Sequence, residues 1–251
     1  INSMFVADLH NDLVQRIIEG EDVTKLTSHG HTDIPRLKES CINLEILIIW
    51  VSSKSSDPNF FKKANRMFDE LEKLSNIEDV LIPKKLKDIL DGIKSNKLLL
   101  PVSLEGGEAI ENKLDNLYHF INRGLFYLGP TWNHSLDWVS SNYDEKNNKT
   151  KIKTIGLNDF GKEVINICQE NKVLIDVSHI GEQSFWDIEK IAKKPFIASH
   201  SSVYKICPHF RNLLDDQIIA IKNKKGLIGI NPYPFFIDPT FKERESKVRN
   251  Q

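Results

Sequence analysis

A set of short apolar runs restricts how this chain can fold more than any other feature. They read MFVADLH, NLEILIIWVS, LLLPVSLEGG, LFYLGPTWN, KVLIDVSHI, PFIASHSS and GLIGINPYP. A strand with one face in water alternates apolar with polar residues, whereas a run apolar throughout must be covered on both faces. Between the runs lie amphipathic segments such as FFKKANRMFDELEKL (Phe60 to Leu74) and LNDFGKEVINICQEN (Leu157 to Asn171). In the second, Asn158 stands as the N-cap ahead of a helical face of Phe160, Val164, Ile165 and Cys168. Strands alternating with helices point to right-handed βαβ units and a parallel sheet. About seven such strands in 251 residues favour a TIM-type (β/α)8 barrel, with about seven of its eight strands present, over an open doubly wound sheet. Residues 1–251 then read as a single barrel domain, with the polar stretch NYDEKNNKTKIK (Asn142 to Lys153) as a surface loop.

The runs share a second property: several end in acids and histidines. The first closes on Asp8, His10 and Asp12, the third on Glu105, the fifth on Asp176 and His179, and the sixth on His200. In a parallel barrel the C-terminal strand ends converge on one face, where active sites lie. His10, Asp12, Glu105, His179 and His200 are therefore expected to meet. Taken singly, each has a plainer reading: the HND segment as a helix N-cap, the EGG segment as a turn with glycine at positive φ. Taken together, three imidazoles and two carboxylates suit Zn2+, although the same donors also serve Mn, Fe or Co. Five ligands exceed the three of a mononuclear catalytic zinc, and a two-metal site with one bridging carboxylate fits the number better. Asp8 and Asp176 are the candidates for orienting the ligand histidines from behind.

Charge narrows the partners. Lys and Arg total 34 against 35 Asp and Glu, a net charge of -1, which gives no basic surface for nucleic acid. No apolar run approaches the roughly 20 residues of a membrane span. Cys41, Cys168 and Cys207 are an odd number and widely spaced, which suits a reducing compartment and a cytoplasmic location. The chain opens on Ile1 rather than Met, which leaves room for a signal peptide already removed.

DLHNDL, HTDIPRLKES (His31 to Ser40), SLEGGEAI, GLNDFGKEVI, DVSHI, ASHSSVYKICPHFRN and GLIGINPYP follow one another along the chain. In that order they resemble the motifs of the membrane (renal) dipeptidase family, zinc-dependent metallohydrolases of the amidohydrolase type. The resemblance covers almost the whole chain. It implies two Zn2+ ions in a barrel, one held by His10 and Asp12, the other by His179 and His200, with Glu105 bridging. It implies that Arg211, with Asn212 beside it, binds a small peptide substrate, the planar guanidinium gripping the α-carboxylate. The implied reaction is hydrolysis of dipeptides by a metal-activated hydroxide that attacks the peptide carbonyl. Family members often form homodimers, so a homodimer is compatible with the resemblance.

Two departures stand out. Family members carry Thr-His-Asn at the fourth strand end, where this chain has Thr131-Trp132-Asn133. Tryptophan donates one N–H and cannot ionise. Trp132 therefore reads as an aromatic pocket wall, and His134 as the imidazole that stands in. This difference opens an alternative, another amidohydrolase reaction such as N-acyl-amino-acid deacylation or lactone opening. The second departure is the family's strand-eight aspartate, which by family spacing falls shortly past Gln251. The chain thus reads as truncated at its C-terminus or, alternatively, as a metal-binding pseudoenzyme. Asp238, in FFIDPT, reads as a turn residue.

Overall fold

In the computed structural model, which describes residues 4–51, 58–148, 150 and 152–249, the chain divides into two units, 1–128 and 129–251. In the first unit β1 (Val6–Asn11) pairs in parallel with β2 (Ile42–Trp50), Val6 opposite Ile42 and Asn11 opposite Leu47. Ile46, Leu47, Ile48 and Ile49 of β2 are at most 1% exposed, as a strand covered on both faces must be. β3 (Val80–Leu81) pairs in parallel with β4 (Leu98–Leu99), and β4 and β5 (Val102–Glu105) both pair in parallel with β2. The third apolar run thus forms two strands rather than one. The break falls at Pro101, which has no N–H for the ladder although its carbonyl accepts from the Leu47 N–H at 2.9 Å. β6 (Tyr127–Gly129) follows, entered through a bond from Phe126 N–H to the Val102 carbonyl at 2.8 Å. β3 was not among the expected runs; two residues are too few to carry a periodic signal.

The helices of this unit are α1 (Leu13–Ile18), α2 (Ile34–Glu39), α3 (Phe60–Glu72), α4 (Leu86–Lys94) and α5 (Leu114–Asn122). α3 occupies the expected amphipathic segment and tightens into a 3₁₀ turn over Lys73–Asn76. Its Phe68 stacks on Phe120 of α5 with ring centroids 5.8 Å apart, and both rings are at most 1% exposed.

The second unit contains α6 (Asn142–Asn147), α7 (Asp159–Glu170), β7 (Leu174–Ile175), α8 (Glu182–Ile191), α9 (Asp215–Asn223), α10 (Pro234–Ile237) and α11 (Phe241–Arg249). α6 corrects the loop expected from Asn142 onward. Ser141 accepts a hydrogen bond from the Asp144 N–H, and Asp144 and Glu145 place negative charge in the first turn, which favours a helix in a sequence that otherwise reads as polar coil. α7 agrees with its reading: the Asn158 side chain accepts from Gly161 N–H at 3.0 Å, and Val164, Ile165 and Cys168 are fully buried. The two last apolar runs are not strands but isolated parallel bridges, Asp176 with Ile197 and Ala198 with Ile228. The ladder stops there because the N–H groups of Ser178 and Ser199 turn to the Asp176 side chain instead of to a strand carbonyl. Gly226 permits the second bridge, since a Cβ there would lie 2.0 Å from the Phe196 carbonyl oxygen. Asp238 is the turn residue expected, accepting from the N–H and hydroxyl of Thr240 at 2.8 Å each.

Among the described residues seven strands alternate with helices, giving the expected α/β class with parallel strands. Cys41, Cys168 and Cys207 are free thiols, and burial pushes the Cys168 thiol up to about 12. No helix among the described residues is long and apolar enough to cross a membrane. The α7 cap gives a direct check on this account. Asn158→Ala should lower the unfolding free energy by about 1 kcal/mol in urea titrations, with Asn158→Asp close to the parent protein.

Candidate functional site

In the first unit His10 sits at the end of β1, next to the buried Leu9. Its Nδ1 lies 3.1 Å from the Tyr127 hydroxyl, which donates to the Leu9 carbonyl at 3.1 Å. A tyrosine hydroxyl has one hydrogen, and here it points at a carbonyl that can only accept. The imidazole Nδ1 therefore carries a proton and donates to Tyr127. Nε2 is the atom that faces the acids, 3.8 Å from Glu105 Oε1 and 4.0 Å from Asp12 Oδ1. Asp12 occupies the N-cap position of α1 yet makes no capping hydrogen bond. The plainer reading of HND therefore does not describe it. Glu105 is 6% exposed and is followed by Gly106 at φ +93°, a conformation that favours glycine.

Two further buried acids surround these groups. Glu45, on β2, is 1% exposed and its Oε1 accepts from the Asn11 side chain. Burial, and then the Asp8 carboxylate, push its carboxyl up to about 7 against the pull of the Asn11 hydrogen bond. Glu108 is pushed up to about 7 by burial, with the Glu105 carboxylate adding to the effect. Asp8, expected to orient an imidazole, instead accepts from the backbone N–H of His10 at 3.1 Å.

The second unit holds the other two histidines. His179 Nδ1 lies 3.1 Å from Asn133 Oδ1, an oxygen that can only accept, so Nδ1 again donates. His200 Nδ1 lies 2.7 Å from Ser199 Oγ. The two Nε2 atoms face each other at 2.9 Å. Neutral imidazoles so arranged would set lone pair against lone pair, a geometry that calls for a proton or a cation between them. Two imidazole nitrogens are donors of the kind a borderline-soft divalent cation takes. His179 also adopts φ +68°, a left-handed conformation uncommon outside glycine and typical of functional positions.

Arg211 is 5% exposed and donates to the His200 carbonyl at 3.4 Å. It lines a cavity of about 340 Å³ with His179, Asn142, Tyr204, Phe210 and Gln217. The Asn212 amide is 5% exposed and donates to the carbonyls of Cys207 and Phe236, both at 2.8 Å, which fixes the loop that carries Arg211. Trp132 is half-buried with its ring 6.3 Å from that of His179. His134 lies 6.3 Å from Trp132, ring to ring, and its Nδ1 is 3.9 Å from Asp144 Oδ1.

Sequence reasoning missed Glu45, Glu108, Tyr127, Asn133 and Ser199. Glu45 had a signal, a single acid inside an apolar strand run. The other four carry no pattern until their partners are known.

The sequence model of the membrane dipeptidase family (peptidase family M19) matches residues 1–250. An uncharacterised protein of the PQQ-III 3′ region of Acinetobacter calcoaceticus is 30% identical over 251 residues, covering 90% of this chain and 79% of that protein. Human Dipeptidase 3 is 25% identical over 238 residues, 92% of this chain but 48% of its own length, so the chain spans about half of that relative. A Rhodobacter sphaeroides metallopeptidase, solved with a phosphinate mimic of the dipeptide L-Ala-D-Ala, shares the fold. The TM-score is 0.82 at 22% identity, over 99% of this chain and 83% of that one.

Glu45 yields a pH prediction. A carboxyl at about 7 in the folded chain and about 4.5 in the unfolded one keeps a proton on folding between those values, so stability falls as pH rises through that window. Glu45→Gln should therefore be more stable than the parent at pH 8 by about 2–3 kcal/mol in the metal-free protein. The difference should close by pH 4.5 in paired urea titrations.

Proposed function

From the premise that the chain belongs to the membrane dipeptidase family (peptidase family M19), a family of metal-dependent hydrolases, we propose that it is a zinc-dependent dipeptidase acting on small peptides. The ligand set proposed for two Zn2+ ions is His10, Asp12, Glu105, His179 and His200, with Glu105 shared. One observation carries the reading: the Nδ1 atoms of His10, His179 and His200 lie 3.1, 3.1 and 2.7 Å from Tyr127 Oη, Asn133 Oδ1 and Ser199 Oγ, which makes Nε2 the nitrogen each ring would turn to a metal. When bound, such a metal pair supplies a water of lowered pKa and an electrophile for the scissile carbonyl.

The chain's own groups do the rest. Arg211, held by the Asn212 loop at the cavity wall, binds the α-carboxylate and sets the distance from the C-terminal end to the bond that is cut. That fixed distance selects dipeptides over longer chains. Trp132 supplies an apolar wall beside His179 and keeps water from the reacting bond. His134, paired with Asp144, donates to the substrate near the carbonyl. Trp132 also supports a second reading, removal of an N-acyl group from an amino acid, because an apolar wall accepts an acyl chain as readily as a side chain. The free thiols support a reducing, cytoplasmic setting.

The purified chain reconstituted with zinc should hydrolyse members of a dipeptide panel carrying L- or D-configured C-terminal residues. Chelation should abolish turnover and zinc should restore it. Loss of all dipeptide turnover alongside cleavage of N-acyl amino acids would favour the second reading. Arg211→Gln should raise KM for dipeptides about 10- to 100-fold, the value of a hydrogen bond to a charged group, and should leave the already poor cleavage of C-terminally amidated dipeptides unchanged.

A further inference from the structure

The second unit contains a buried relay behind His200. Asp176 is 1% exposed and Ser199 is 3% exposed. Asp176 Oδ1 accepts the N–H groups of Ser178 at 3.0 Å and Ser199 at 2.7 Å. Its Oδ2 accepts the Ser199 hydroxyl at 2.6 Å. Every contact named here makes Asp176 an acceptor. The one hydroxyl hydrogen of Ser199 is thereby directed to Asp176, the Ser178 hydroxyl at 3.4 Å being a much longer alternative. Ser199 Oγ is left with lone pairs, and the atom in front of them at 2.7 Å is His200 Nδ1.

We propose that Asp176 is a positioning residue which, through Ser199, fixes His200 in the tautomer that protonates Nδ1 and presents Nε2 to a metal. The proposal deepens the dipeptidase reading and rests on it only for the use made of the metal; the tautomer is a property of the chain. A carboxylate bonded directly to a ligand histidine is a common arrangement. Here a serine hydroxyl lies between, so the hydrogen-bond polarity of the whole line is set at its far end.

That polarity can be reversed without changing shape. In Asp176→Asn the amide oxygen still accepts the two backbone N–H groups, while the amide NH2 takes the place of Oδ2 and donates to Ser199 Oγ. The serine hydroxyl must then donate to His200 Nδ1, and the proton of the ring moves to Nε2, the atom a metal needs. Ser199→Ala is different: it removes the constraint and leaves the ring free to take either tautomer.

The test has two arms. Long-range ¹⁵N–¹H spectra of the metal-free protein should show His200 carrying a proton on Nδ1 in the parent and none on Nδ1 in Asp176→Asn. Zinc titration should show a loss of affinity of about 100-fold or more in Asp176→Asn, beyond the usual effect of a supporting group, and about 10-fold or less in Ser199→Ala. The double variant should bind zinc better than Asp176→Asn alone, because the hydroxyl that imposes the wrong tautomer is gone. A parent His200 with no proton on Nδ1 would overturn the proposal without any mutation, and so would a double variant weaker than either single one, which is the pattern of a merely structural role. A chain with the expected tautomer that cleaves no dipeptide would sink the functional reading and leave the relay standing.

Discussion

An imidazole can present one nitrogen lone pair in a defined direction only if its other nitrogen has an acceptor to donate to. Tyr127 Oη and Asn133 Oδ1 stand in that position for His10 and His179, and in the proposed relay Ser199 Oγ does so for His200. Each acceptor is itself fixed, Tyr127 by the Leu9 carbonyl and Ser199 by Asp176. If these imidazoles are the ligands proposed, a set held this way would need little reorganisation when a cation arrives, which is what a rigid second layer contributes to a metal centre.

The fold makes such an arrangement possible because the ladder ends where the chemistry begins. Strand interiors such as Ile46 to Ile49 are apolar and paired, with backbone groups satisfied by neighbours. At the tips, side chains take over the backbone groups that pairing leaves. Asn11 accepts from the Leu13 N–H, and Asp176 accepts from Ser178 and Ser199. A polar tip is thus a structural requirement before it is a functional one. What exceeds that requirement is the side chain of Asp12, which makes no capping hydrogen bond although it sits at an N-cap.

The same division explains what the sequence could and could not reveal. Runs that are apolar throughout announced the parallel α/β class, and Asn158 announced the start of α7, because both signals are local and periodic. The break at Pro101 was equally local and could have been read from proline's missing N–H. The two-residue β3 and the bridges at Ile197 and Ile228 had no such signal, since their extent depends on which backbone groups side chains capture. In the site, histidines and acids at strand ends were visible as residue types. Their supports were not: Tyr127 lies 117 positions from His10 and Asn133 lies 46 from His179, and neither separation leaves a trace in one sequence. Asp176 was visible as an acid at the end of a run but not as the acceptor of the Ser199 hydroxyl, and Asp8 holds backbone rather than ring.

Glu45 and Glu108 add an energetic argument. Both are buried close to another acid, Asp8 in one case and Glu105 in the other, and both are pushed up to about 7. Crowding carboxylates in a low-dielectric interior opposes folding, and a chain selected for stability alone would replace them with apolar residues. Retaining them leaves Asp8 and Glu105 each with a buried acid as neighbour. A divalent cation held by Glu105, on the ligand set proposed, would offset the repulsion between Glu105 and Glu108, so metal binding and folding of this unit would draw on the same electrostatic free energy. Glu108, which weakens the metal-free protein by facing Glu105, would then be the acid that a cation at Glu105 relieves, a trade between stability and function.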